Sequence, residues 1–143
     1  MRLLNIAFWI AAALASTSLG AASQDTPFAA RVVSMQYSRL AAMAVITGSA
    51  VLRVQVDTAG NVVNARGLSG HPILIKAAVT NIKLWKFLTE RPVTERNGLQ
   101  FDFTYVFELK GTSQAPVQCS TVTYEYPNTV TILSEAPYVM ESK

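Results

Sequence analysis

The chain has 143 residues, enough for one compact domain but too few for two cores once a targeting segment and tails are set aside. Half of the residues are hydrophobic and 15% are charged, which suits a globular fold and excludes a disordered chain. The formal charge of +3 falls to about +2 if Arg2 leaves with a leader, far from the dense basic face that nucleic acid requires, and the single cysteine, Cys119, excludes an internal disulfide framework and a cysteine-built metal site.

Residues 1–22 have the pattern of a signal peptide: a positive start at Arg2, an apolar run over 6–14, then a small-residue stretch ending at Ala21 and Ala22. Cleavage after Ala15 or after Ala22 fits, and the later cut leaves the longer apolar segment for the export machinery. The alternative is an inner-membrane anchor left uncleaved, because residues 3–22 carry no charge and number about the 20 that span a bilayer. Against an anchor stand Ser16, Thr17, Ser18 and Gly20, which lower its hydrophobicity, and the lack of a basic cluster after it. The expected mature chain starts near Ser23 and is exported to the periplasm.

After a polar lead-in, residues 28–44 place Val32, Val33, Met35, Leu40 and Met43 among alanines, which predicts a helix or two broken helical turns ended by Gly48. Residues 49–57 alternate, with Ala50, Leu52, Val54 and Val56 facing one way and Arg53, Gln55 and Asp57 the other, as in a half-buried strand. Asp57 and Gly60 supply a turn, the carboxylate accepting backbone amides and the glycine taking positive φ, and residues 62–68 return as the second strand of a hairpin.

Ser69, Gly70 and His71 then break the chain, and Pro72 opens a helix over 73–86, where its missing amide would have no partner anyway. Leu74, Ala77, Ala78, Ile82 and Trp85 mark the side that packs on the hairpin, with Lys76, Lys83 and Lys86 opposite. Beyond a polar loop at 89–98, Phe101, Phe103, Tyr105, Phe107 and Leu109 alternate with Asp102, Thr104 and Glu108, the clearest strand pattern in the chain. β-Branched and aromatic runs at 121–126 and 129–133, joined at Pro127 and Asn128, predict an extra C-terminal β-hairpin, and Pro137 with its polar neighbours a frayed terminus. The fold class is α+β in two layers: helix, β-hairpin, helix, β-strand, with a three-stranded antiparallel sheet packed on helices in a domain at 23–110 and an extension at 111–143.

Catalysis needs convergent groups, and one histidine, one cysteine and nine scattered carboxylates offer none. His71 near Ser69 lacks a third group to orient it, and Asp57 with Gly60 lacks the further oxygen ligands of a calcium loop. The expectation is a non-enzyme with no metal, no cofactor and no small-molecule substrate. The aromatic row belongs in a core, so the functional feature of its strand is the backbone. A three-stranded sheet leaves an edge to which an extended segment can add. The candidate peptide-binding edge is therefore Phe101, Asp102, Phe103, Thr104, Tyr105, Val106 and Phe107, unless the C-terminal hairpin covers it.

Residues 48–57, the turn at Gly60, Asn61 and Val62, and above all Ser69, Gly70, His71 and Pro72 followed by Leu74, Ala77, Ala78, Trp85, Lys86 and Phe87 resemble the TonB C-terminal domain family over roughly residues 37–109. Among these, Asp57, Gly60, Ser69, Gly70, His71, Pro72, Trp85 and Phe87 are motif positions with structural roles. The resemblance implies a periplasmic domain of a Gram-negative bacterium in which a short outer-membrane receptor segment pairs with the third strand, here residues 101–109. In the full transducer of that family a proline-rich spacer leads to an inner-membrane helix whose histidine couples to a proton-driven motor. Here no histidine precedes His71 and no proline-rich span precedes Gly48. The roughly 25 residues between leader and sheet, at about 3.5 Å each, reach under about 100 Å. Ser38 also follows Tyr37 where the family commonly has proline. The leading expectation is a periplasmic binding module for an envelope protein or receptor segment. The alternatives are a membrane-anchored energy transducer of TonB-dependent transport, or an envelope assembly protein that forms a homodimer through the same edge.

Overall fold

The computed structural model describes residues 27–89, 98–113 and 120–137. The expected leader at 1–22, most of the polar loop, Cys119 and the chain end lie outside the described residues. In chain order the elements are β1 (Phe28–Arg31), α1 (Arg39–Met43), β2 (Gly48–Val56), β3 (Val62–Ser69), α2 (Pro72–Ile82), β4 (Lys86–Leu88), β5 (Leu99–Ser113), β6 (Thr121–Glu125) and β7 (Thr129–Pro137).

Five strands form the main sheet in the order β3-β2-β5-β7-β6, while β1 and β4 pair as a separate antiparallel ribbon. Within the main sheet β7 runs parallel to β5, and the other pairings are antiparallel. One face of this sheet is the core floor. Alternate positions send Ala50, Leu52, Val54 and Val56 of β2, Phe103, Tyr105 and Phe107 of β5, and Val130 and Ile132 of β7 into full burial. Leu74, Ala78 and Ile82 of α2 and Ala41 and Ala42 of α1 close it from above, α2 over β2 and β3 and α1 over β7. Arg53, Gln55, Asp102, Thr104 and Thr131 occupy the opposite, partly exposed face. Among the described residues, no helix is long and apolar enough to cross a membrane.

The two-layer α+β arrangement agrees with expectation, but the sheet is five-stranded and mixed, not three-stranded and antiparallel. The difference arises because the C-terminal hairpin docks on β5. A lone two-stranded hairpin is marginal in water, and Val130 and Ile132 reach full burial only beside the aromatic floor of β5.

Residues 28–44 also depart from the helix expected there. They form β1, an extended run and the five-residue α1. Their apolar spacing is compatible with a helix, but side chains elsewhere claim the backbone: Asn81 Nδ2 donates to the Val33 carbonyl at 3.0 Å, and the Tyr37 amide donates to Ser120 Oγ at 2.9 Å. Val32, Leu40 and Met43 stay exposed. Ser38 is the N-cap of α1, its hydroxyl accepting from the Ala41 amide at 3.5 Å.

α2 begins as expected at Pro72, with His71 as N-cap, its Nδ1 accepting from the Ile73 amide at 3.3 Å. It stops at Ile82, four residues before the expected end, because the amides of Leu84 and Trp85 turn back to Asn81 and Ile82 and release the chain into β4.

Candidate functional site

β5 is the axis of the molecule. It holds every residue of the candidate peptide-binding edge, and alternation divides them as the sequence suggests. Phe101, Phe103, Tyr105 and Phe107 are 9%, 0%, 0% and 1% exposed, so these rings belong to the core and offer no stacking surface. Asp102, Thr104 and Val106 lie on the open face. The rings interlock with their neighbours edge to face: Phe101 on Phe87 at 5.0 Å, Phe103 on Trp85 at 5.3 Å and Phe107 on Tyr37 at 5.5 Å.

The backbone of those residues is paired on one side throughout and on the other from Thr104 onward. β2 pairs with β5 from Leu99 to Phe107, and β7 pairs with it in parallel from Thr104 to Ser113. The expected open edge is therefore filled from Thr104 onward by the chain's own last strand. Asn128 starts this seam. Its carbonyl accepts from the Thr104 amide at 2.9 Å, and its side-chain Nδ2 donates to the Asp102 carbonyl at 2.9 Å, so one residue brackets two alternate positions of β5. Phe101 lies before that bracket and Phe103 within it, both ahead of the parallel register that begins at Thr104. The outer strands of the sheet are β3 and β6.

The family-motif positions form a frame around β5. Asp57 Oδ1 accepts from the amides of Ala59 and Asn61, each at 2.9 Å, and closes the β2–β3 turn. Gly60 in that turn has φ 84, and its carbonyl accepts from the Phe87 amide at 2.9 Å; a side chain there would collide with the Phe87 carbonyl. Gly70 passes so close to Ser49 and Ala50 that a Cβ would meet the Ser49 carbonyl oxygen at 2.5 Å. Ser69 ends β3, Pro72 starts α2, and Trp85 and Phe87 are buried at 2% and 0% exposure.

Two residues that sequence reasoning missed hold this frame together. Asn81 is buried in α2 and joins three residues distant from one another in the chain: Oδ1 accepts from Trp85 Nε1 at 2.8 Å and from the Tyr105 hydroxyl at 2.9 Å, while Nδ2 donates to the Val33 carbonyl. The signal was its position. Asn81 lies three residues after Ala78 and four before Trp85, on the apolar side of the helical pattern, where a polar residue needs partners. Asn128 is the other, and nothing in a turn sequence announces a side chain that caps a distant strand.

Electrostatics add little chemistry. Arg53 and Asp102 face each other across β2 and β5, with Nε to Oδ1 at 2.8 Å and Nη2 to Oδ2 at 2.9 Å. The hydrogen bond from Arg53 holds the Asp102 carboxyl below its ordinary value. The Asn61 backbone amide and side chain, followed by the Ala59 amide, lower Asp57 in the same way. Burial pushes the Tyr105 phenol far up, so it stays a neutral donor to Asn81. Among the described residues, no group of three or more His, Cys, Asp or Glu comes together to hold a metal. His71 is committed to its capping bond.

A family model described as Gram-negative bacterial TonB protein C-terminal matches residues 33–109, more than half of the chain. No curated protein matches, and no solved structure matches.

Proposed function

The chain belongs to the family of Gram-negative bacterial TonB protein C-terminal domains, and from that premise we propose that it is a periplasmic binding module which captures an extended segment of an envelope protein or outer-membrane receptor by strand addition at β5. The family is a non-catalytic, transport-related one whose domains work in the cell envelope by binding other proteins. The observation that carries the finer reading is the seam itself. From Thr104 onward β5 already accepts an extended segment in parallel, with Asn128 supplying the bracket that sets its register.

The test uses the immobilised full chain and synthetic peptides spanning the N-terminal segments of a Gram-negative host's outer-membrane receptors. A photo-crosslinking side chain in place of Val106, on the open face of β5, attaches the captured peptides, whereas the same group in place of Val63 on the outer strand β3 does not. Labelling from Val63 and not from Val106 would remove β5 from the site. The mature N-terminus, read by sequencing the exported protein, separates this module from a transducer that retains residues 3–22.

A further inference from the structure

The strand-addition reading gives β7 a specific meaning. The seat that a captured segment would take on β5 is filled by part of the same chain, in the same kind of main-chain pairing. We infer that β7 is a resident strand in the ligand's seat, and that capture proceeds by exchange of the 121–137 hairpin for a partner segment.

The register of β7 describes the partner. Val130 and Ile132 point into the core at 0% exposure, and Ser134, two residues further, is 2% exposed with no hydrogen-bond partner for its hydroxyl among the described residues. Thr129, Thr131 and Leu133 point to the open face. A competing segment must therefore run parallel to β5, present β-branched apolar residues at two alternate positions, and place a small residue at the third. The third position is where the resident strand is weakest, because a buried hydroxyl without a partner costs free energy that an alanine in an incoming strand would not. A polar residue one position before the one opposite Thr104, able to imitate the double bracket of Asn128, would complete the match.

A resident strand also predicts how affinity is set. The seat is open only in the fraction of molecules whose hairpin is undocked, so the apparent dissociation constant is the intrinsic one divided by that fraction. Weakening the hairpin should tighten binding, the opposite of what a mutation inside an ordinary binding site does.

The experiment uses the full chain with Cys119→Ser and, as probe, a fluorescent peptide of residues 128–137. Val106 and Thr131 are cross-strand partners in the seam, about 5 Å apart at that spacing, so Val106→Cys with Thr131→Cys can lock the hairpin with a disulfide. The expected results are binding at least tenfold tighter for Ile132→Ala than for the parent, none for the oxidised locked chain, and recovery on reduction. Val130→Ala, which removes less side chain, gives a second opened variant if Ile132→Ala unfolds. A peptide carrying Asp in place of Ile132 should fail throughout. Equal binding to parent, opened and locked chains overturns the inference and moves the peptide to β3 or β6, leaving strand addition itself intact. No binding to the opened variants, while receptor peptides are still captured, overturns the inference alone. Failure of both peptide sets overturns the proposed function as well.

Discussion

Inside the core, the indole N–H of Trp85 donates to Oδ1 of Asn81 at 2.8 Å, and the Tyr105 hydroxyl shares that same acceptor. Replacing Asn81 with Leu leaves both aromatic donors buried without a partner, and each such group costs about 1 to 3 kcal/mol. The expected loss is about 3 kcal/mol in urea unfolding. Tyr105→Phe alone should cost about 1 kcal/mol, and adding it to Asn81→Leu should cost less than the sum, because it removes one of the stranded donors.

Gly60→Ala should destabilise by about 3 kcal/mol, since the new Cβ meets the Phe87 carbonyl and the backbone there has φ 84. The same change detaches the turn from β4, so amide exchange at Phe87 should quicken more than exchange in β2. A loss under about 1 kcal/mol would mean that β4 does not depend on this turn.

Burial separates two apolar residues of similar size. Ile132→Ala empties a site at 0% exposure and should cost about 3 kcal/mol, whereas Leu40→Ala, at 65% exposure, should stay within about 0.5 kcal/mol. Thermal melts of the two variants side by side check both values. Equal losses would mean that β7 is not packed on the core.

Acid should weaken the fold through Asp57 and Asp102, whose carboxyls are held low by the Asn61 amide and by Arg53 respectively. A carboxyl depressed in the folded state contributes stability that is complete above its unfolded value, near about 4, and is lost as the pH falls through the lower folded value. Melting temperature should therefore be level from about pH 7 to 5 and fall below about pH 4. Asp57→Asn should melt earlier at neutral pH and show a shallower acid decline. A profile identical to the parent's would show that the turn carboxylate contributes nothing.

Much of this arrangement was legible in the sequence where one residue pattern answers to one environment. β2 and β5 alternate because one face is core and the other is not, and the turn at Asp57 and Gly60 and the start of α2 at His71 and Pro72 carry their own local chemistry. The C-terminal hairpin was legible for the same reason over 121–133, but its second strand runs on to Pro137, where a frayed terminus was expected. β1 and β4 were not, because strands of four and three residues show no period, and Phe87 is the sole fully buried side chain among the three residues of β4. The alanine-rich run before β2 misled: helix propensity and spacing are weak guides where side chains distant in sequence, Asn81 and Ser120, claim the backbone. The candidate edge was found as a strand, but its occupancy depends on a pairing between segments distant in sequence, which no local pattern encodes.

That distant pairing has a kinetic consequence. The β2–β3 and β6–β7 hairpins each close over a short turn and can form from local contacts, whereas β2 must find β5 across 43 residues at Val56 and Leu99 and 59 at Gly48 and Phe107, against 25 for Thr104 and Thr129 in the parallel seam. The β2–β5 pairing should therefore set the folding barrier, and the seam should add afterwards to a sheet already begun. Changes along it, such as Ile132→Ala, should then leave the refolding arm of a chevron plot in place and raise the unfolding arm. The lifetime of the closed molecule is thus set on the C-terminal side of the sheet, and the speed of reaching it by the strands that come before.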